Sequence, residues 1–311
     1  MGFLDWLSRR EKPRTGPYAE ASFFHIPDRD YFGWYATSPD GGFTLTWRDA
    51  NDEGTHGGAR ASGMGRYFLL AGDAIIAEGQ IERPNDGKVA SDGTFILNDW
   101  RFNSELGGAF CAFRADGSPI VSQRFTANLL NNGLSANGRL AVCQTCNSHT
   151  DDASVLAVFD LTQGREIVRW KPESGWAESY AFADDGQSIR LCYPGGASLA
   201  YSLDGRFLDR DLWIERSLGR GDLAVIQQLI DSEDKKPSAE LARRLVAGID
   251  VALKATSDDH ICAWAYKLRG ISLEAEKNWP EALRSYDLAL GLDPKIGVKR
   301  RADALRKASN K

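Results

Sequence analysis

The sequence of 311 residues predicts an antiparallel β domain followed by an all-α domain. Four segments place Asp or Asn before Gly and an alternating apolar stretch after it. They are "SPDGGFTLTW" from Ser38, "ASDGTFILND" from Ala90, "SANGRLAVC" from Ser135 and "ADDGQSIRLC" from Ala183. Beyond about residue 215 the apolar residues are spaced three and four apart instead, as in amphipathic helices. The length also suits two domains of roughly 150 residues each.

The four segments mark a repeat. Asp-Gly and Asn-Gly favour tight hairpins because both residues tolerate positive φ. A second glycine-containing turn follows each of them, so each unit predicts two hairpins, or four short strands. The first-turn glycines are Gly41, Gly93, Gly138 and Gly186, and the second-turn glycines are Gly72, Gly117, Gly164 and Gly205.

The third unit shows the pattern most clearly. "TANLLNNGLSANGRLAVCQTC" supplies two strands, and "SVLAVFDLTQGREIVRWKP" supplies two more. Within the latter, Val155, Ala157 and Phe159 alternate with the period of two expected for a half-buried strand.

These repeats resemble WD-repeat-like β-propellers, in which four strands per blade recur every 40–50 residues. The resemblance covers about residues 22–215 and implies four blades. The Gly-His opening of such repeats is absent. The Trp-Asp pair has a counterpart in only one repeat, where it is Phe159-Asp160. An open array or a sandwich of hairpins is the alternative. The Gly-rich stretch 51–65 lacks the Gly-Lys-Ser/Thr ending of a phosphate-binding loop and predicts a connecting loop.

The C-terminal part predicts helices over 222–232 and 238–255, with Ser238 at the start of the second. "AYKLRGISLEAEKNWPEALRSYDLALGLDPK" resembles one tetratricopeptide repeat, a helix–turn–helix unit of 34 residues. The resemblance rests on Tyr266, Gly270, Leu273, Ala282, Tyr286, Ala289 and Pro294, whereas Arg269 stands where an aliphatic residue is expected. A basic stretch, 295–311, predicts a capping helix.

The predicted organisation has four parts. An N-terminal amphipathic segment and tether occupies 1–20, and the propeller-like domain occupies 21–215. A linker helix region follows over 216–237, and a tetratricopeptide-repeat-like domain covers 238–311.

Charge and hydropathy bear on partners and compartment. The net charge of −5 and the pI near 5.5 argue against nucleic acid as a partner. No apolar run approaches the roughly 20 residues that cross a bilayer. The stretch "MGFLDWLSRREKPR" lacks the apolar core expected of a signal peptide, because Asp5 interrupts it. A cytoplasmic protein with reduced thiols is therefore expected.

The strongest candidate for metal chemistry is Cys143 and Cys146, spaced as C-x₂-C, with His149 nearby. No second such pair exists, and strand alternation would point the two cysteines to opposite faces. Structural thiols are the preferred interpretation, and metal or redox roles are the alternatives. Cys111, Cys192 and Cys262 lie in apolar runs and predict small core residues. No catalytic motif is present and no cofactor is expected.

Two interaction-type repeats without a catalytic signature predict a non-enzymatic scaffold or adaptor in the cytosol that binds another protein, with self-association as a further option. An immunity or antitoxin-type protein that neutralises a toxin is the first alternative, and a hydrolase-type enzyme with its site in the propeller channel is the second. The candidate partner-binding residues are Trp34, Tyr35, Trp47, Trp100, Trp176, Tyr266 and Arg269.

Overall fold

The computed structural model describes residues 16–49, 58, 62–101 and 106–309. The chain divides into two compact units, Met1–Leu208 and Asp209–Lys311. Antiparallel sheets make up the first unit and helices the second, which confirms the β-plus-α fold class. The division precedes the sequence-based boundary at 215, because a helix that the sequence pattern did not reveal already begins at Arg210.

Seventeen described strands form four antiparallel sheets, here called sheets A to D in chain order. Sheet A contains β1 (Tyr18–Glu20), β2 (Phe23–Ile26), β3 (Tyr31–Thr37), β4 (Phe43–Arg48), β5 (Gly65–Ala71) and β6 (Ala74–Ile81). Sheet B contains β7 (Pro84–Val89), β8 (Phe95–Asp99), β9 (Gly108–Phe113) and β10 (Pro119–Phe125). Sheet C contains β11 (Leu129–Leu134), β12 (Leu140–Thr145), β13 (Leu156–Asp160) and β14 (Arg165–Trp170). Sheet D contains β15 (Ser179–Phe182), β16 (Ser188–Cys192) and β17 (Ser198–Ser202).

Two sheets depart from the expected four strands. Sheet A has six because β2 pairs with β3 and β1 pairs with β2. Sheet D has three because the segment after its second turn makes only the single bridge between Tyr201 and Phe207 before the helical unit begins. Among the described strands, substantial contacts join sheet D to C, C to B and B to A but not D to A, so the four sheets do not close into a ring.

The predicted hairpin turns form. All four first-turn glycines adopt positive φ, between +65° and +82°. The third turn shows the geometry: the Gly138 N–H donates to the Ser135 carbonyl at 3.0 Å, and the Asn137 side-chain oxygen accepts the Arg139 N–H at 3.1 Å. The side chain before the glycine therefore caps the turn, as such residues commonly do.

The first strands of sheets B, C and D lie side by side. β11 contacts β7 and β8 on one side and β15 on the other, while β7 also contacts β4 of sheet A. Apolar residues fill the spaces between neighbouring sheets; Phe110 and Phe159, for example, stack with ring centroids 4.5 Å apart between sheets B and C. The sheets thus pack face to face, and the polar residues of their first strands come together.

Six helices form the second unit. They are α1 (Arg210–Gly219), α2 (Leu223–Ser232), α3 (Ala239–Ala255), α4 (Asp259–Ala275), α5 (Trp279–Leu292) and α6 (Lys299–Ser309). The Ser238 hydroxyl accepts the Leu241 N–H at 3.2 Å, which confirms the predicted start of α3. α4 and α5 form a close hairpin, because Gly270 leaves room for the Tyr286 ring. Among the described helices, none combines the length and apolar character needed to cross a membrane.

Candidate functional site

The first strands of sheets B, C and D read "PNDGKV", "LLNNGL" and "SYAF". They carry polar side chains where neighbouring sheets meet, and β8 and β12 add others. We call this group the inner polar cluster; its members are Asp86, Lys88, Asn98, Asn131, Asn132, Cys143, Gln144 and Tyr180.

Asp86 occupies the accessible end of the cluster. Its backbone adopts φ +42°, a left-handed conformation that Asp and Asn tolerate better than other non-glycine residues. One carboxylate oxygen pairs with the Lys88 ammonium, and the other accepts the Asn132 backbone N–H at 2.7 Å. The Asn132 side-chain amide donates to the Asp86 carbonyl oxygen. Asp86 is thus fixed from two strands while its side chain remains 27% exposed and that of Lys88 41% exposed.

Tyr180 connects sheet D to sheet C. Its hydroxyl lies 2.6 Å from the Asn131 side-chain oxygen and 2.7 Å from the Gln144 side-chain oxygen. The same Gln144 oxygen accepts the Ala177 N–H at 3.0 Å. Burial raises the pKa of Tyr180 well above its usual value, and the nearby Cys143 and Asp86 add to the shift. The phenol therefore stays protonated and donates a hydrogen bond.

Asn98 and Asn132 face the boundary between sheets B and C. Their side chains are buried, and neither the Asn98 Nδ2 nor the Asn132 Oδ1 has a hydrogen-bond partner among the described residues. The Cys143 Sγ lies 3.9 Å from the Asn98 Oδ1. Burial raises the pKa of Cys143 well above that of a free thiol, with Asp86 contributing, so Cys143 is a buried thiol and not an activated nucleophile.

The three candidate metal ligands, Cys143, Cys146 and His149, differ in how deeply they are buried. Cys143 is fully buried within β12, Cys146 lies half-buried just beyond the end of that strand, and His149 is exposed. In the described ranges, no group of three or more His, Cys, Asp or Glu side chains is arranged to hold a metal ion. Of the cysteines predicted to be core residues, Cys111 is buried, whereas Cys192 and Cys262 are only partly so.

The predicted partner-binding aromatics differ in their exposure to solvent. Trp34, Trp100 and Trp176 are substantially exposed. The expectation for Trp47 is wrong, because its indole is buried in the core between sheets A and B, against the backbone of Gly87.

The other candidate partner-binding residues are half-buried or make hydrogen bonds within the chain. Tyr35 is half-buried, and its hydroxyl lies 3.5 Å from the Ala21 carbonyl. Arg269 donates to Asp250 and to the Ser285 hydroxyl, each at 3.0 Å, and Tyr266 is half-buried on the same helix. Arg269 is therefore used inside the helical unit, which accounts for a charged residue at an expected aliphatic position.

Sequence reasoning did not identify the inner polar cluster. A sign was present: "NDGK" and "NNG" interrupt segments that otherwise read as apolar strands. A polar residue at a core position is more informative than an exposed apolar one. Only the packing of β7, β8, β11, β12 and β15 shows that these separate interruptions meet.

Comparisons with known proteins include a distant likeness to a solved structure. No family model matches the chain, and no curated protein matches it. Among solved structures, the periplasmic gluconolactonase PpgL of Pseudomonas aeruginosa matches with 15% sequence identity and a TM-score of 0.36. The match covers 62% of this chain and 66% of that one, so the chain spans just under two thirds of the length of that structure.

Two sequence-based expectations are corrected by this comparison. The matching structure is that of an enzyme, which goes against the prediction of a non-enzymatic scaffold or adaptor. The same structure is described as periplasmic, which goes against the prediction of a cytoplasmic protein. Neither prediction is retained. A likeness at this level assigns neither activity nor compartment to the chain.

Proposed function

We propose that the chain is a hydrolase-type enzyme whose site is the exposed end of the inner polar cluster, with Asp86 as general base and Lys88 as the stabilising cation. One observation carries the proposal: a partly exposed carboxylate is held in a left-handed backbone conformation between an ammonium group and the amide of a neighbouring sheet. Unusual backbone conformations that the surroundings fix are concentrated at functional sites.

The proposed chemistry is addition of water to an ester carbonyl. Asp86 accepts a proton from water as the water oxygen bonds to the carbonyl carbon, and the Lys88 ammonium stabilises the negative charge that develops on the carbonyl oxygen. The carbon–oxygen bond to the alcohol then breaks, and the proton held by Asp86 passes to the leaving alkoxide. An ionised carboxylate has about four lone-pair sites. Two are used by Lys88 and Asn132, which leaves others to accept the proton.

Other carboxylates are less suited to this role. Asp40, Asp92 and Asp185 cap the hairpin turns by accepting backbone N–H groups. Asp99 accepts the N–H groups of Glu82, Arg83 and Arg101 at 3.3, 2.8 and 3.1 Å, although burial raises its pKa. Their hydrogen bonds lie within local turns and strand ends, whereas those of Asp86 join two sheets.

The test is hydrolysis of a panel of uncharged nitrophenyl esters and lactones by the full-length chain, compared with Lys88→Met. We expect turnover above the buffer rate and a drop in kcat/KM of about 100-fold or more in the variant, the size that loss of one charge-stabilising donor produces. Lys171→Met is the matched control, since Lys171 is exposed just after β14, and it should leave the rate unchanged within about twofold. A panel without turnover, or equal rates for the two variants, contradicts the proposal.

We also propose a finer description of the fold. The four sheets correspond to blades of an open propeller, supported by four turn-centred repeats and by first strands that lie side by side. The α4–α5 hairpin corresponds to a tetratricopeptide-like unit, supported by the approach of Gly270 to Tyr286 and by the buried Ala282. A crystal structure in which β7, β11 and β15 do not share an axis would contradict the blade description.

A further inference from the structure

The unpartnered amide atoms at the boundary of sheets B and C point to a second, buried binding site. Asn98 is fully buried and Asn132 is 2% exposed. The Asn98 Nδ2 and the Asn132 Oδ1 each have no hydrogen-bond partner among the described residues. A buried polar atom without a partner destabilises the fold, and such atoms in folded proteins are nearly always paired.

Both asparagine side chains lie beside one thiol. Asn132 pairs across the β11–β12 ladder with Cys143, so the two side chains share a face of sheet C. The Asn98 Oδ1, on β8 of the facing sheet, lies 3.9 Å from the Cys143 Sγ. The two side chains are therefore neighbours across the boundary between the sheets.

The orientation of Asn132 is fixed by its other contacts. Its Nδ2 donates to the Asp86 carbonyl oxygen, and exchanging the amide nitrogen and oxygen would set two acceptors against each other. Its Oδ1 must therefore point into the boundary, where it needs a donor. The Asn98 Nδ2 on the other side needs an acceptor.

We propose that this boundary binds a single hydroxyl group, which accepts a hydrogen bond from the Asn98 Nδ2 and donates one to the Asn132 Oδ1. Only a group with both capacities satisfies the pair, which excludes a cation or a simple anion. Water has this chemistry and is the usual partner of buried polar groups, and a ligand hydroxyl shares it. Asn132 also donates to the Asp86 carbonyl oxygen, so the bound hydroxyl connects Asn98 to β7 through Asn132.

The proposal stands whether or not the chain hydrolyses esters, and its test does not depend on activity. A ligand-free crystal structure at about 1.5 Å resolution should show an oxygen about 2.7–3.2 Å from both the Asn98 Nδ2 and the Asn132 Oδ1. An oxygen present without ligand identifies water, and one seen only after soaking with glycerol identifies a ligand hydroxyl. Absence of any such oxygen in both crystals, or a direct bond between the two amides, overturns the proposal.

A variant supplies a second readout in solution. Asn98→Leu keeps the side-chain volume but removes the donor, so the oxygen should be lost and the thermal midpoint should fall by about 2–4 °C. Gln123→Leu, a partly exposed position on β10 of the same sheet, should change the midpoint by less than about 1 °C. An Asn98→Leu crystal that retains the oxygen, or an unchanged midpoint, counts against the assigned role of Asn98.

Discussion

At the scale of single residues, burial and neighbouring charge decide what the thiols and the carboxylates do. The spacing of Cys143 to Cys146 left a metal role open beside the preferred structural one, and the structure places Cys143 in the core next to Asn98. Asp86 carried no motif at all, yet the bonds of Lys88 and Asn132 give it a fixed geometry. A residue's type and spacing therefore predicted less than its surroundings.

The thiols give a direct test at this scale. Cys111 and Cys143 are buried, and burial raises the pKa of both, so each is protected by steric exclusion and by low thiolate content. We expect iodoacetamide at pH 8 to modify them at least about 100-fold more slowly than the partly exposed Cys262 in the native protein.

Peptide mass spectrometry after timed labelling measures these rates. In about 6 M urea all five cysteines should react at similar rates, which serves as the control. Native-state labelling of Cys143 as fast as that of Cys262 would show that β12 is not buried between its neighbouring sheets.

At the scale of elements, the repeated tight turns connect neighbouring strands within the sheets. The first-turn glycines all need positive φ, but their surroundings differ. A Cβ at Gly138 would lie 2.5 Å from an Asp92 carboxylate oxygen of the adjacent turn, whereas a Cβ at Gly41 would meet nothing within 4 Å. The turns of sheets B and C are therefore in contact, and the Ser91 N–H donates to the Ala136 carbonyl at 3.0 Å.

This difference predicts unequal effects of one substitution. Gly41→Ala should cost about 1–2 kcal/mol, the penalty for a left-handed residue with a side chain. Gly138→Ala should cost more, by about 1 kcal/mol, because Asp92 must also move. Urea unfolding of both variants measures the difference, and equal losses would mean that the turns of sheets B and C do not touch.

Two glycines of the α4–α5 hairpin, Gly270 and Gly291, also differ in their surroundings and allow a second comparison of alanine substitutions. A Cβ at Gly270 would lie 2.3 Å from the Tyr286 ring, while a Cβ at Gly291, near the end of α5, would meet nothing within 4 Å. We expect Gly270→Ala to destabilise the protein by about 1–3 kcal/mol through overpacking. Gly291→Ala should be neutral or stabilising by up to about 1 kcal/mol, because alanine favours the helix.

Circular dichroism during thermal unfolding measures both variants. A lower midpoint for Gly291→Ala than for Gly270→Ala would contradict the packing of α4 on α5.

The sequence predicted these elements better than it predicted the site. Turn chemistry and periodicity are local, so the hairpins around Gly138 and Gly164 and the start of α3 at Ser238 followed from the residues themselves. β1 and β2 were missed because three- and four-residue strands leave too little periodicity to detect. The inner polar cluster was missed because it brings together residues 46 apart in sequence, such as Asp86 and Asn132. No local sequence pattern predicts that these two residues come into contact.

At the scale of the whole molecule, the four sheets form one unit and the six helices form another. Within the first unit the sheets pack through apolar faces, and a group of polar residues lies where β7, β11 and β15 come together. A polar group inside a packed core needs partners. Those partners place Asp86 and Lys88 at the accessible end of the cluster, which is the basis of the proposed hydrolysis.

The most direct measurement is kcat/KM for Asp86→Asn on the best ester substrate, beside Asp116→Asn. Asparagine tolerates the left-handed backbone and keeps an acceptor for Asn132, but it cannot take a proton from water. Asp116 caps an exposed turn of sheet B by accepting the Ser118 N–H at 2.8 Å, and Asn can do the same. We predict a fall of at least about 100-fold for Asp86→Asn and less than about twofold for Asp116→Asn. If Asp86→Asn keeps turnover within about threefold of the unmodified chain, Asp86 is not the base.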